Sequence, residues 1–285
     1  MKYMFFVFFL FHAAAAQAQM LTQDSPKNPA PIDITAPVST PKPETKNTSN
    51  EPLQITADEA LEWRRNDKSL IARGNAVAKK GDASVSASTL TARYDEKKEG
   101  GGMKISNITA EGNVVIKSNE SEARGSKAVY DLDKGYAVMT GGNLKMTAQD
   151  QIVTAREKFE YDVRAGKLIA TGRAKVTRGQ DTLEADTISA VMKDDARGQR
   201  KLETAEAKGN VVITTPFEKI TGQYGIYRAD TNKAEMKGGI KIIRGPNVLE
   251  GERAEVDLTT NTSVIFGNPG SQKRVTGIFY PDSKK

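Results

Sequence analysis

A glycine-led corner recurs along the chain, at Gly74-Asn75, Gly112-Asn113, Gly141-Gly142, Gly172-Arg173, Gly209-Asn210, Gly238-Gly239 and Gly267-Asn268. The steps between corners are 38, 29, 31, 37, 29 and 29 residues. Each long step carries a polar insertion, Glu96–Lys104 in one and Asp194–Lys201 in the other. Without them the period is about thirty residues, within the range of repeat architectures. A second landmark keeps step with the first. It is a small-x-large pair at Ala92/Tyr94, Ala128/Tyr130, Phe159/Tyr161, Ala190/Met192, Gly225/Tyr227 and Ala254/Val256. A repeat of this kind constrains the fold more than local propensity does, because each unit must bury its apolar face against its neighbours.

Within the unit the apolar period is two, which belongs to a half-buried strand rather than a helix. Counting from the corner glycine, the second and fourth residues point one way. They are Val114/Ile116, Ala174/Val176, Val211/Ile213 and Ile240/Ile242, with Leu144/Met146 counted from the second glycine of that corner. The residues between are mixed: Lys145, Lys175 and Lys241 are polar, Val115 and Val212 are not. Asp131–Gly135, Asp162–Gly166, Asp230–Lys233 and Asp257–Asn261 supply turn chemistry between strand runs. Connections this short join antiparallel neighbours, since parallel pairs need crossovers of a dozen residues or more. The expectation is an all-β chain: an elongated antiparallel sandwich or roll, extended lengthwise and open at both ends. The corner glycines should adopt φ > 0.

Composition removes several chemistries. There is no Cys, and His12 is the only His. An ordinary zinc site, a Cys/His pair and a Ser/His/Asp triad are therefore excluded from any chain that lacks the first residues. No phosphate-binding glycine loop and no H-E-x-x-H occurs. We expect no catalytic residues, no metal and no cofactor. Five of the nine Phe lie within the first eleven residues, so the core must be built of Ala, Val, Ile, Leu and Met. The formal net charge is +6, spread along the chain. A basic protein can meet anionic lipid, acidic polysaccharide or nucleic acid, and export argues against the last.

Export is expected because residues 1–18 read as a cleaved signal peptide: Lys2, an apolar run over Phe5–Phe11, and Ala16-Gln17-Ala18. Residues 19–52 hold seven of the eleven prolines and read as a flexible leader. The strand-bearing region follows over 53–270, and 271–285 reads as a basic tail. An unclosed sheet leaves an open edge at each end. These edges fall near Leu53–Asp58 and Ser263–Phe266, where little charge blocks strand addition. Leu53, Ile55, Val264 and Phe266 are the candidate partner contacts.

The pattern resembles a known family. A secretory signal is followed by Ile55–Asp58 (ITAD), then Ala110–Ile116 (AEGNVVI) and Ala207–Ile213 (AKGNVVI), and a closing Arg274–Pro281 (RVTGIFYP). Together these resemble the LptA/OstA family of periplasmic lipopolysaccharide-transport proteins, over roughly residues 53–281. The resemblance implies a twisted, V-shaped antiparallel β-jellyroll, in this chain allowing two family-like repeats over about 53–170 and 171–270. It implies a non-enzymatic carrier that passes lipopolysaccharide from inner to outer membrane, its acyl chains lying against Val114, Ile116, Leu144, Met146, Val176, Val211, Ile213, Ile240 and Ile242. It further implies an LptC-like partner, an LptD-like partner and head-to-tail homo-oligomers in the periplasm. Without a retained anchor or a following barrel, the carrier itself is the expected member. Two features depart from the family: the core is long, and the Pro-rich leader is unusual. Two other classes share a repeated β chain: a carboxylate-based polysaccharide enzyme on a β-solenoid, and a structural or adhesive repeat protein. The first needs a polar cluster that breaks the repeat, and the second a surface anchor or calcium repeats.

Overall fold

The structure, a computed structural model, describes residues 52–96, 103–118, 121–148, 151–194, 200–260, 262–268, 270 and 274–280. The signal peptide expected over 1–18 and the leader expected over 19–52 lie outside the described residues, apart from Pro52 at the leader's end. Eighteen strands form one antiparallel sheet, with no α-helix among the described residues. In chain order they are β1 (Gln54–Thr56), β2 (Ala60–Arg64), β3 (Ser69–Lys80), β4 (Ala83–Glu96), β5 (Met103–Ser118), β6 (Ser121–Asp131), β7 (Tyr136–Thr140), β8 (Leu144–Ala148) and β9 (Gln151–Ala155). There follow β10 (Lys158–Asp162), β11 (Lys167–Arg178), β12 (Asp181–Asp194), β13 (Arg200–Thr214), β14 (Lys219–Arg228), β15 (Lys233–Arg244), β16 (Asn247–Asp257), β17 (Thr262–Phe266) and β18 (Thr276–Ile278).

The long strands break register near their middles. Pairing jumps between Arg73 and Ala76 in β3, Glu111 and Val114 in β5, Thr171 and Ala174 in β11, Lys208 and Val211 in β13, and Lys237 and Ile240 in β15. Each jump is a glycine corner. Six of the seven corners carry positive φ at the leading glycine, from 74° at Gly209 to 150° at Gly141. Asn75, Asn113, Arg173 and Asn210 follow in the left-handed region. Two residues on one strand thus oppose one on the next, a bulge that bends the strand. At Gly112 the reason for glycine is double: φ is 79°, and a Cβ would sit 2.5 Å from the Ser88 hydroxyl.

The row of bends divides the sheet into two arms. The first arm runs in the order β1, then the far halves of β3, β4, β5 and β6, then β8, β9, and the halves of β11 to β16, ending at β18. The second arm runs from β2 through the other halves and β7 and β10 to β17. One core cluster takes residues from both, for example Leu144 and Val176 with Phe159 and Ile188. The arms therefore face each other across an apolar interior. The polar alternates face outward as cross-strand ion pairs such as Lys175–Glu184 and Lys241–Glu250, both 2.8 Å. Exposed pairs of this kind contribute little each; they keep the outer face wet and the register fixed. In the chain the polar insertions join β4 to β5 and β12 to β13, and residues 97–102 and 195–199 lie outside the described residues.

Candidate functional site

The interior is two facing ladders of side chains. On the first arm, cross-strand partners run Ile55, Ala78, Val85, Ile116, Ala123, Met146, Val153, Val176, Leu183, Ile213, Ile220, Ile242, Leu249 and Gly277. The line is apolar from one open edge to the other. On the second arm the matching line is Leu61, Ala72, Leu90, Ala110, Ala128, Met139, Phe159, Ala170, Ile188, Ala207, Gly225, Met236, Ala254 and Ile265. Such lines arise because the strand period of two returns the same face at every rung.

All ten residues placed inward by parity from the corners, Ala174 and the nine expected acyl contacts, lie on the first arm's inner face. Val114, Val211, Ile240, Leu144, Met146 and Val176 are buried, and Ile116, Ile213 and Ile242 are half-buried against the same cluster. Nearest the bend, large and small residues alternate: Val114 opposes Gly125, Leu144 opposes Ala155, and Val211 opposes Gly222. A Cβ on Gly125 would fall 2.6 Å from Met139 Cγ, and one on Gly222 2.8 Å from Ile240 Cδ1. The angle at the bend leaves no room for two large side chains in succession.

The second arm's inner face was missed as a lining, although the small-x-large landmark marks it. Ala128/Tyr130, Phe159/Tyr161 and Gly225/Tyr227 all point inward there. The inward row farther from the bend carries tyrosines at intervals, Tyr130, Tyr161 and Tyr227. Burial pushes the Tyr130 and Tyr227 hydroxyls up from their ordinary values. The Tyr227 hydroxyl donates to Asn232 Oδ1 at 2.9 Å. Tyrosines that are apolar at the base and hydrogen-bonded at the tip suit a boundary between greasy and wet surroundings.

At the edges, β1 and β2 pair only with β3, and β17 and β18 only with β16, among the described residues. Leu53 precedes β1 and is exposed, while Ile55 is half-buried at the end of the first ladder. Val264 is exposed but lies on the outer face of β17, and Phe266 lies beneath the Arg253 guanidinium at 4.2 Å. The inward residues of β17 are Ser263 and Ile265, since they oppose Val256 and Ala254. Each edge is wider than the sequence indicated. Leu61 and Trp63 of β2 are 58% and 53% exposed, and Ile278, Phe279 and Tyr280 at β18 are 50–64% exposed. β18 lies in the segment read as a tail. Its three residues have no local pattern and pair with Val248–Glu250 nearly thirty residues earlier.

Across the two arms the sequence model of the LptA/(LptD N-terminal domain) LPS transport protein family matches residues 54–167 and again residues 156–262. The chain belongs to this family. The LptA-like chain is also 26% identical over 148 residues to an uncharacterized protein of Rhizobium meliloti strain 1021, covering 50% of this chain and 77% of that one. Among solved structures it matches LptH, described as the LptA-homologous periplasmic component of the lipopolysaccharide transport device of Pseudomonas aeruginosa. That match has 14% identity, a TM-score of 0.20, and coverage of 81% of this chain and 96% of that one.

Proposed function

We propose that this LptA-family chain is a non-enzymatic periplasmic bridge. It binds the acyl chains of lipopolysaccharide between its arms and passes them from the inner towards the outer membrane. The observation that carries the reading is the unbroken apolar ladder from Ile55 at one open edge to Leu249 and Gly277 at the other. Each methylene removed from water contributes about 0.8 kcal/mol, so a fully buried acyl chain gains on the order of 10 kcal/mol before the costs of ordering. One deep pocket would hold such a cargo too tightly to release it. A row of similar rungs offers successive sites of similar energy, so cargo can advance in small steps while the driving energy comes from elsewhere.

The open edges are the proposed joints. A strand added to β1 and β2 by an LptC-like protein, or to β17 and β18 by an LptD-like protein, would extend both ladders into the partner. Edge-to-edge addition between copies gives a head-to-tail oligomer, which does not close and should lengthen with concentration.

The test is periplasmic expression of the full chain with a photo-crosslinking residue at Ile116 or Ile213, compared with Lys175 or Lys241, followed by mass spectrometry of what is captured. Lipopolysaccharide at the inward pair and none at the outward pair is the expected result. A processed glycan, or capture only at the lysines, would overturn it.

A further inference from the structure

We infer that one copy of this chain is two bridge units joined end to end, β1–β8 and β9–β18, and that the closed junction between them is the pattern for the joint between copies. The inference rests on the joints proposed above and fixes the register in which the open edges meet. The start of the second unit reproduces the start of the first. Residues 55–96 align without a gap on 153–194, 98 positions further on. Ile55-Thr56-Ala57 falls on Val153-Thr154-Ala155, Leu61 and Trp63 on Phe159 and Tyr161, and Gly74 on Gly172. The bends are bonded alike. Asp58 N and Glu59 N donate to Gly74 O at 2.8 Å and Arg73 O at 3.1 Å, and Arg156 N and Glu157 N donate to Gly172 O and Thr171 O at the same distances. The second family match opens at Arg156, in this bend. The ends of the two units correspond in the same way. Residues 121–141 align without a gap on 247–267, 126 positions further on. Ala128 opposes Met139 as Ala254 opposes Ile265, and Ala123 opposes Met146 as Leu249 opposes Gly277.

Within the chain the end of the first unit is closed by the start of the second, β7 on β10 and β8 on β9. The matching strands β17, β18, β2 and β1 have no such neighbour among the described residues. Exposure records the difference. Phe159 and Tyr161 are 7% and 8% exposed, whereas Leu61 and Trp63 at the same places are 58% and 53% exposed. Val275 and Phe279 are exposed where Leu144 and Ala148 are buried. The closed junction sets Met139 opposite Phe159, Ala137 opposite Tyr161 and Met146 opposite Val153. Carried to the open edges, that register sets Ile265 of one copy opposite Leu61 of the next, Ser263 opposite Trp63, and Gly277 opposite Ile55. Both apolar ladders then run on from copy to copy. A slip of one residue would turn every inward side chain outward. The occupant of the open edge is therefore a second copy of this chain, in a register its own middle already uses.

The chain has no cysteine, so thiols can be placed one at a time. The test mixes two differently tagged full-length variants, each with one thiol on an exposed edge strand, and oxidises them at high concentration. The matched pairs are Leu61→Cys with Ile265→Cys and Trp63→Cys with Ser263→Cys. The crossed pairs are Leu61→Cys with Ser263→Cys and Trp63→Cys with Ile265→Cys. Mixed disulfide at the matched pairs should exceed that at the crossed pairs by roughly tenfold, because the bond needs Cβ atoms about 4 Å apart. Spacing alternates between the two faces of an antiparallel pair, so the outward face is run as well: Glu62→Cys with Val264→Cys against Glu62→Cys with Phe266→Cys. Equal yields, or crossed pairs ahead, overturn the transferred register. No mixed disulfide on either face overturns the inference, while lipid capture at Ile116 and Ile213 would still support the bridge. Matched disulfides in a protein that captures no lipid would support the joint and overturn the lipid cargo.

Discussion

The central rungs and the rungs toward the C-terminus are built on one repeat yet end differently. Between β7 and β10 the inward residues include the large Met139, Met146, Val153, Phe159 and Tyr161, all at most 8% exposed, set among Ala148 and Ala155, also buried. Between β13 and β15 the inward positions include Ala205, Ala207, Gly222, Gly225 and Ala234, with Ile213 and Tyr227 only half-buried. The alternation of inward and outward residues is the same in both places, although the central strands are split at the bend into β7/β8 and β9/β10 while β13, β14 and β15 run through it. What differs is the volume directed inward. A continuous fold is thus a packed core at its middle and close to an open slot further along. Lipid occupancy is then a question of which rungs can part most cheaply.

The comparison breaks most visibly at Phe159. Phe159→Ala removes a buried aromatic from the closed region and should cost roughly 3–5 kcal/mol of unfolding free energy. Met236→Ala borders a cavity of about 20 Å³, which Gly225 also lines, and should lie near the low end of its class, about 2 kcal/mol. Urea unfolding of the two variants measures the difference. Equal losses would mean that the C-terminal rungs are packed as tightly as the centre.

Next in size are the bends, which should not distinguish the two regions. Gly172 has φ of 90° and faces Glu157; Gly209 has φ of 74° and faces Asp186. Gly172→Val and Gly209→Val each place a β-branched residue in the left-handed region against a neighbour, at a cost of about 2–3 kcal/mol. A loss at one bend and none at the other would show that only one arm junction is rigid.

These particular residues show how far the sequence carries. Ile116, Ile213 and Ile242 could be placed inward because the corner glycine sets a zero from which parity is counted. The same parity was available for Phe159 and Tyr161, but the facing of their arm depends on the bend, which reverses the direction in which the sheet looks. Ile265 rather than Val264 points inward on β17 for a similar reason: its parity is inherited from Ala254 across the ladder, not from a corner. β18 was not legible, since three residues with no alternation acquire strand geometry only through Val248–Glu250. The void at Gly225 was equally hidden. Glycine at 125, 222 and 225 reads alike in sequence, and only the distances to Met139, Ile240 and Met236 separate a tight site from a roomy one.

Gly225→Ala sharpens the comparison by a smaller amount. Removing the conformational freedom of glycine where the native backbone tolerates alanine should stabilise the fold by about 0.4–1 kcal/mol. The matching change in the closed region, Gly125→Ala, must displace Met139 and Leu144 and should destabilise. Thermal unfolding of the pair reads opposite signs; shifts of the same sign would remove the distinction between filled and unfilled rungs.

The smallest effect serves as a control, because it should be the same in both regions. Each has an outward tyrosine on a carboxylate: Tyr136 donates to Glu160 at 2.5 Å, and Tyr224 to Glu206 at 2.8 Å. The hydrogen bond to Glu160, with burial and that negative charge, pushes Tyr136 up to about 12. Burial, then the bond to Glu206, pushes Tyr224 up to about 12. Burial opposes ionisation of both glutamates, yet the bonds from Tyr136 and Lys158 hold Glu160 below its ordinary 4.5, and those from Lys208 and Tyr224 do so for Glu206. The tyrosine contribution is therefore complete below pH 10 and is lost as pH rises through about 12. The glutamate contribution is complete above pH 4.5 and is lost as pH falls through the lowered values. Tyr136→Phe and Tyr224→Phe should each cost about 1 kcal/mol at neutral pH and flatten the alkaline limb alike. Neither should alter lipid capture, because both hydroxyls lie on the outer face. Reduced capture in Tyr224→Phe alone would mean that the outer face of the C-terminal rungs also governs how the arms part.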